Sequence, residues 1–285
     1  MTATATPSPS ASSACSTAAS TARRPLRVVV LTQPDSVAIP ANIGKIAAMG
    51  DVDLAAVIEC DAPGAVVNKK RHFAKGFGLT QTVRFGVVLA RHRVVDLVDQ
   101  FAGYRLARQK RSVRAAAVSS EALYLKVTDP NSAESIEHFE RLRPDLIVSF
   151  SAPCVFKPRL LELAPLGCIN LHCSPLPAYA GLLPSFWVLY HGENETAATV
   201  HYIDSHIDSG PILGQTRVPI APGATMFRVV QETKRRGGDL MVETIQRLHR
   251  GDCEATPNCP QQRTYFTWPT VEQVSEFRRR GGRLI

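Results

Sequence analysis

The 285-residue chain has no Cys-x-x-Cys pair and no repeated spacing among Cys15, Cys60, Cys154, Cys168, Cys173, Cys253 and Cys259. A disulfide framework or a closed zinc site depends on such spacing. The thiols therefore read as the reduced cysteines of a cytoplasmic protein, and no metal is expected. No stretch approaches the roughly 18 uncharged apolar residues of a membrane span. Residues 1–24 contain no acid, carry charge only at Arg23 and Arg24, and are otherwise almost all Ala, Ser, Thr and Pro. A segment so poor in apolar bulk cannot pack a core, which predicts a disordered tail. A transit peptide has a similar composition, whereas a secretory signal would need an apolar run.

Acid is also scarce between Lys69 and Arg114. Twelve basic residues face only Asp96 and Asp99 there, a local excess of +10 within 46 residues, so the rest of the chain carries −2 of the total +8. The basic character belongs to one segment. Hydrophobic residues make up 45% and charged residues 20%, proportions that fit a globular protein with a sizeable core.

What is present is an alternation. Leu26 to Leu31 and Val52 to Ile58 are β-branched runs separated by a helical pattern over Asn42 to Met49, the signature of a βαβ unit. Residues 65–118 interrupt it. Phe85, Val88, Leu89, Val95, Val98 and Ala102 recur there at helical spacing, with Arg84, Arg91 and Arg105 on a neighbouring row, predicting one or two inserted amphipathic basic helices. The alternation resumes with strands at Leu123–Val127, Asp145–Phe150 and Gly167–His172 and helices at Ser132–Leu142 and Lys157–Leu163. A short helix over Pro184–His191, a strand pair at Ala198–Ile203 and Ile212–Val218, and a long helix over Thr225–Arg250 complete the pattern. The last shows an apolar row of Phe227, Val230, Leu240, Val242 and Ile245. The expected fold is α/β, a mostly parallel sheet with flanking helices. Its divisions are a tail at 1–24, a main domain at 25–220 holding the helical insertion, and a C-terminal helix and extension at 221–285.

The chemistry concentrates in the run Cys168-Ile-Asn-Leu-His-Cys-Ser-Pro-Leu-Pro177. Asn170 and His172, two apart on a strand, project from one face. They lie at its carboxyl end, where open α/β sheets bind ligands. Asp208, 36 residues after His172, offers a carboxylate from a separate loop. An amide donor, an acid/base and a proton partner suit acyl transfer. Taken singly, each residue could equally be a buried amide, a satisfied histidine or a turn aspartate.

The block Gly167 to Gly181, with Pro184, Trp187, Gly192, Thr199-Val-His201 and Ile207-Asp-Ser-Gly-Pro-Ile212, resembles the formyltransferases that use 10-formyltetrahydrofolate. The runs 264–270 and 277–283 are similar to the tails of small-molecule members. The resemblance implies a Rossmann-like formyltransferase fold, with Asn170, His172 and Asp208 as the catalytic set. It also implies that Ser174, Pro175, Leu176 and Pro177 line the folate site, helped by Ser151, Pro153 and Cys154 and by Asp204 and His206. The family's usual Ser-Leu-Leu-Pro loop here has Pro175 as its second residue. Ala180 and Ala198 stand where many members have Arg and Gly.

The turn Thr32-Gln-Pro-Asp-Ser36 contains no glycine to let backbone amides surround a phosphate, which disfavours glycinamide ribonucleotide as acceptor. The expected acceptor is a small-molecule primary amine such as an amino sugar nucleotide, with 10-formyltetrahydrofolate as donor. Methionyl-tRNA, water as acceptor (a hydrolase) and a non-enzymatic basic module remain alternatives. Nucleic acid is not the favoured partner, and a homodimer is left open.

Overall fold

A computed structural model describes residues 24–61 and 74–285. Residues 1–23 of the tail and the first part of the basic segment, Lys69 to Arg71 included, lie outside the described residues, while Arg24 pairs with Asp145 at 2.6 Å. Seven strands form one sheet in the order β3-β2-β1-β4-β5-β7-β8. They are β1 (Leu26–Thr32), β2 (Val52–Cys60), β3 (Leu123–Val127), β4 (Leu146–Phe150), β5 (Cys168–His172), β7 (Glu195–Tyr202) and β8 (Ile212–Pro219). β1 pairs in parallel with both β2 and β4, and β4 in parallel with β5, while β7 and β8 close the edge antiparallel. β6 (Ala180–Gly181) and β9 (Tyr265–Phe266) make a separate small ladder.

β1 is nearly all buried because both faces are covered, as a central parallel strand requires. Val28 and Val30 belong to one core with Ile43, Val148, Ile169 and Met241. Val29 and Leu31 point the other way, into a core with Ile58, Ile136, Phe139 and Leu160. Helices α1 (Ile39–Ala47), α3 (Val113–Ser119) and α7 (Met226–Arg250) cover the first face. Helices α4 (Ala133–Leu142) and α5 (Pro158–Leu161) cover the second. A third, aromatic core joins Phe186 and Trp187 of α6 (Pro184–Tyr190) to Val274 and Phe277 of α8 (Val271–Arg279).

Four sequence expectations shift. Helix α1 begins three residues earlier than its apolar pattern suggests. Asp35 Oδ1 accepts the N–H groups of Val37, Ala38 and Ile39 at 2.7, 2.8 and 3.1 Å, and Pro40 fits the first turn. The buried stripe of α7 is Met226, Val229, Thr233, Gly237, Met241, Ile245 and Leu248, so only Ile245 of the expected row is fully buried. Small residues decide this: a Cβ on Gly237 would sit 2.6 Å from Leu171, and one on Gly238 2.0 Å from Asn42. Glycine here is a contact surface for the sheet and α1. The residues after Gly251, unassigned from sequence, contain β9 and the capped helix α8, whose Thr270 and Gln273 form a capping box.

The inserted segment contains one long helix, α2 (Leu79–Phe101). Its expected inward row is only half-buried, and Val98 is exposed; the two fully buried residues of α2 are His92 and Asp99. Polar anchoring explains the difference. His92 Nδ1 meets Ser36 Oγ at 3.1 Å. Asp99 accepts the N–H groups of Leu106 and Ala107 and pairs with Lys110 at 3.0 Å.

Candidate active site

Strand register brings the site together. Asn170 lies between Ser149 on β4 and His201 on β7, and His172 lies opposite Thr199. Asn170 Nδ2 is 3.2 Å from His201 Nε2. The other His201 nitrogen, Nδ1, lies 2.7 Å from the Tyr202 carbonyl and must donate to it, since a carbonyl only accepts. Nε2 is therefore the acceptor, and the Asn170 amide is the donor. Burial pushes the pKa of His201 down, against the pull of Asp208, and this keeps the ring neutral. The 3.7 Å approach of His201 Nε2 to Asp208 then joins two acceptors and carries no hydrogen bond.

His172 Nε2 lies 3.0 Å from the Tyr179 carbonyl, and its Nδ1 lies 3.4 Å from Asp208 Oδ1. A protonated ring satisfies both partners, whereas a neutral ring has a hydrogen for only one. Asp208 is fixed from behind: its Oδ2 accepts the Gly181 N–H at 2.8 Å. The Asn258 amide donates to the carbonyls of Asp208 and Gly210 at 3.0 and 3.1 Å. Asp208 itself has φ 49°, in the left-handed region. The following turn requires Gly210, where a Cβ would be 2.0 Å from the Tyr202 carbonyl oxygen. The four side chains thus meet at the carboxyl end of β5, with one Asn170 N–H still free.

The loop after β5 is braced rather than loose. Thr199 Oγ1 donates to the Ser174 carbonyl at 2.6 Å and accepts the Leu176 N–H at 3.3 Å. Gln215 Nε2 donates to both the Leu176 carbonyl and Thr199 Oγ1, at 3.0 and 2.9 Å. Ser174 Oγ donates to the Ala178 carbonyl at 3.0 Å, and the Leu176–Pro177 peptide is cis. Pro175 and Pro177 are half-buried, and Leu176 is buried.

Ala152 and Cys154 of one flanking loop and Ile203 of the other are partly buried against the same apolar core. Ser151 has φ 56°, and Pro153 is half-buried beside it. The Cys154 thiol sits against Cys60, and its pKa is pushed up to about 12 chiefly by burial, which leaves it a poor nucleophile. Asp204 accepts the His206 N–H at 2.9 Å and the Ser209 hydroxyl at 2.6 Å, closing its own loop, while His206 is exposed.

His201 and Thr199 were quoted from sequence only as part of a pattern and assigned no role. The Thr-x-His spacing puts both on one face of β7, but only the strand register sets that face against Asn170 and His172. Behind the site, Lys234 of α7 pairs with Asp35 Oδ2 at 3.0 Å. Burial works against both charges, yet each outweighs it for the other: the Lys234 pKa is raised and the Asp35 pKa lowered. A cavity of about 440 Å³ opens between α1 and the first turns of α7, lined by Lys45, Arg228 and Arg235 among others, and includes none of the four site residues.

The open sheet thus carries an amide, two imidazoles and a carboxylate at the carboxyl end of β5. The formyl transferase family model matches residues 88–245, and the chain belongs to that family. It is 36% identical over 132 residues to a methionyl-tRNA formyltransferase of Synechococcus sp. (strain JA-3-3Ab), covering 46% of this chain and 41% of that relative. It is 35% identical over 144 residues to the enzyme of the same description from Kosmotoga olearia, covering 50% and 46%. The chain thus spans less than half the length of these curated relatives.

Among solved structures, glycinamide ribonucleotide transformylase 1 of Symbiobacterium toebii superposes with TM-score 0.56 at 19% identity, over 80% of this chain and 89% of that one. A sugar 3N-formyl transferase crystallised with dTDP and 5-N-formyl-THF gives 0.54 at 15% identity, over 85% and 69%. These likenesses establish the common fold.

Proposed function

We propose that the chain transfers the formyl group of 10-formyltetrahydrofolate to the primary amine of a small molecule, with Asn170, His172 and Asp208 as catalytic residues. The convergence of these three side chains with His201 at the mouth of β5 carries the reading. The amine, neutral when it attacks, forms a C–N bond to the formyl carbon, and charge develops on the formyl oxygen. The free N–H of Asn170 donates to that oxygen, and the Nε2–H of a protonated His172 joins it by leaving the Tyr179 carbonyl, while Nδ1–H stays on Asp208. Asp208 balances the imidazolium and accepts the proton released by the amine. Breaking the bond to the folate nitrogen, with a proton delivered to it, completes the transfer. The braced 174–177 loop and the apolar side chains of Ala152, Cys154 and Ile203 would hold the flat donor.

For the acceptor, Asp35 is informative. A helix N-terminus beside the first strand is an anion site, but Asp35 already occupies the amides of α1 and pairs with Lys234. A substrate phosphate finds those three amides already taken, which favours an amine recognised elsewhere, such as an amino sugar nucleotide, over glycinamide ribonucleotide. The curated relatives favour a second reading, methionyl-tRNA as acceptor. Incubation with 10-formyltetrahydrofolate and a panel of amino sugar nucleotides, glycinamide ribonucleotide and methionyl-tRNA, followed by mass detection of a +28 adduct on the order of one formyl group per amine, distinguishes them. Formyl loss to water with every acceptor ignored would overturn the transfer reading.

A further inference from the structure

Helix α2 turns a continuous apolar ridge to solvent. Leu79, Val83, Val87, Val94, Leu97 and Phe101 recur at intervals of three, four and seven on one face, and all are more than half exposed; Leu79 and Phe101 reach 78% and 87%. Over 23 residues the helix extends for about 34 Å. The opposite face is tied down at Phe85, which meets the Phe227 ring edge-on with centroids 5.8 Å apart, and at His92 and Asp99. These anchors prevent the helix from rolling its ridge inward. On helical geometry Arg84 and Arg91 border the ridge on one side and Arg93 on the other. All three are exposed. The two acids of α2 face away from solvent partners: Asp96 accepts the Ser112 hydroxyl at 2.7 Å, and Asp99 holds Lys110. Immediately beyond the helix, exposed Leu106 lies between exposed Arg105 and Arg108 and repeats the pattern.

Among the described residues the charged side chains bordering the stripe are cations, and such a stripe fits one kind of surface: hydrocarbon lying just beneath a layer of negative charge. A second copy of the chain would bring arginine rims against arginine rims, with no acid among the described residues of the rim. We propose that α2 docks the protein on the surface of an anionic phospholipid bilayer, the ridge entering the headgroup boundary and the arginines reaching the phosphates. The helix would lie in the surface plane; no described helix is long and apolar enough to cross. None of the four site residues belongs to the ridge, so the proposal does not depend on the acceptor.

The test is flotation of the full chain with vesicles of phosphatidylcholine alone and with about one-third phosphatidylglycerol. The expected result is binding to the anionic vesicles only, weakening as salt rises. Val94→Glu/Leu97→Glu and, separately, Arg84→Gln/Arg91→Gln should each lower apparent vesicle affinity by about tenfold or more. Circular dichroism melts of both should match the parent, since the replaced side chains are already exposed. Phe101→Trp should show blue-shifted emission with anionic vesicles alone. Failure to float, equal binding to phosphatidylcholine, or full binding by Val94→Glu/Leu97→Glu would overturn the proposal. A dimer in sedimentation velocity that dissociates in Val94→Glu/Leu97→Glu would instead assign the ridge to a second copy. Equal binding of soluble polyglutamate would assign it to an acidic protein.

Discussion

At the scale of single residues, the tautomer of one histidine sets the orientation of the Asn170 amide, the group proposed to meet the developing oxyanion. Asn170 can present an N–H because His201 Nε2 takes its other hydrogen. Asn170→Ala should lower kcat by about 10²–10³-fold, with little loss of stability, as steady-state kinetics and a thermal melt will show. His201→Ala should lower kcat with KM nearly unchanged, and His201→Gln, which keeps an acceptor, should recover part of it. The folded-state pKa of His201 lies below its ordinary value through burial. The sign follows: the stability held by the neutral ring is complete above the unfolded pKa, near ~6.5, and is lost as pH falls through the lower folded value. Acidification should therefore reduce both melting temperature and turnover in the parent, and the acid limb should flatten in His201→Gln.

At the scale of elements, α7 crosses the sheet on two glycines. Gly238→Ala places a methyl group 2.0 Å from buried Asn42, whose amide donates to the Lys234 carbonyl at 2.9 Å. Overpacking of this kind costs about 1–3 kcal/mol, and the fall in melting temperature will measure it. Gly210→Ala should act differently. It crowds the Tyr202 carbonyl in the turn that carries Asp208, so turnover should fall further than stability does. A rate unaffected by Gly210→Ala would mean that the turn does not position the carboxylate.

The same elements explain what could be read in advance. Every strand of the main sheet is legible, because β-branched runs are local signals, and Asn170 and His172 stand out as a short polar motif on one strand, whereas Asp208, 36 residues on, enters through the family resemblance. The α7 stripe is not legible, since a glycine contact leaves no hydrophobic trace. The face of α2 is not either: periodicity shows that an apolar row exists, but polar anchors such as His92 and Asp99 decide which row faces inward. His201 escaped because its role lies in cross-strand register with Asn170, which sequence spacing alone does not display.

At the scale of the whole molecule, charge and chemistry are segregated. The basic excess lies in the inserted segment, mostly before and after α2, while the proposed catalytic mouth draws on β5, β7 and their loops. Neutralising Arg84, Arg91 and Arg93 together should leave formyl transfer in free solution unchanged, as an assay without vesicles will show. A matching fall in kcat would mean that the basic face recruits the acceptor itself, which favours a polyanion such as tRNA.

The carboxylate of Asp35 behaves as a stopper in a socket made of three backbone amides and the Lys234 ammonium. Pulling it out has a consequence opposite to that of an ordinary deletion. Asp35→Gly should melt early, because an unpaired buried cation costs about 3–5 kcal/mol. Millimolar inorganic phosphate should then restore part of the lost melting temperature, while equimolar chloride should not. The parent protein, its socket already filled, should ignore both salts. One substitution would thus convert a sealed helix end into an oxyanion receptor, a short step by which a scaffold of this kind could exchange one class of acceptor for another.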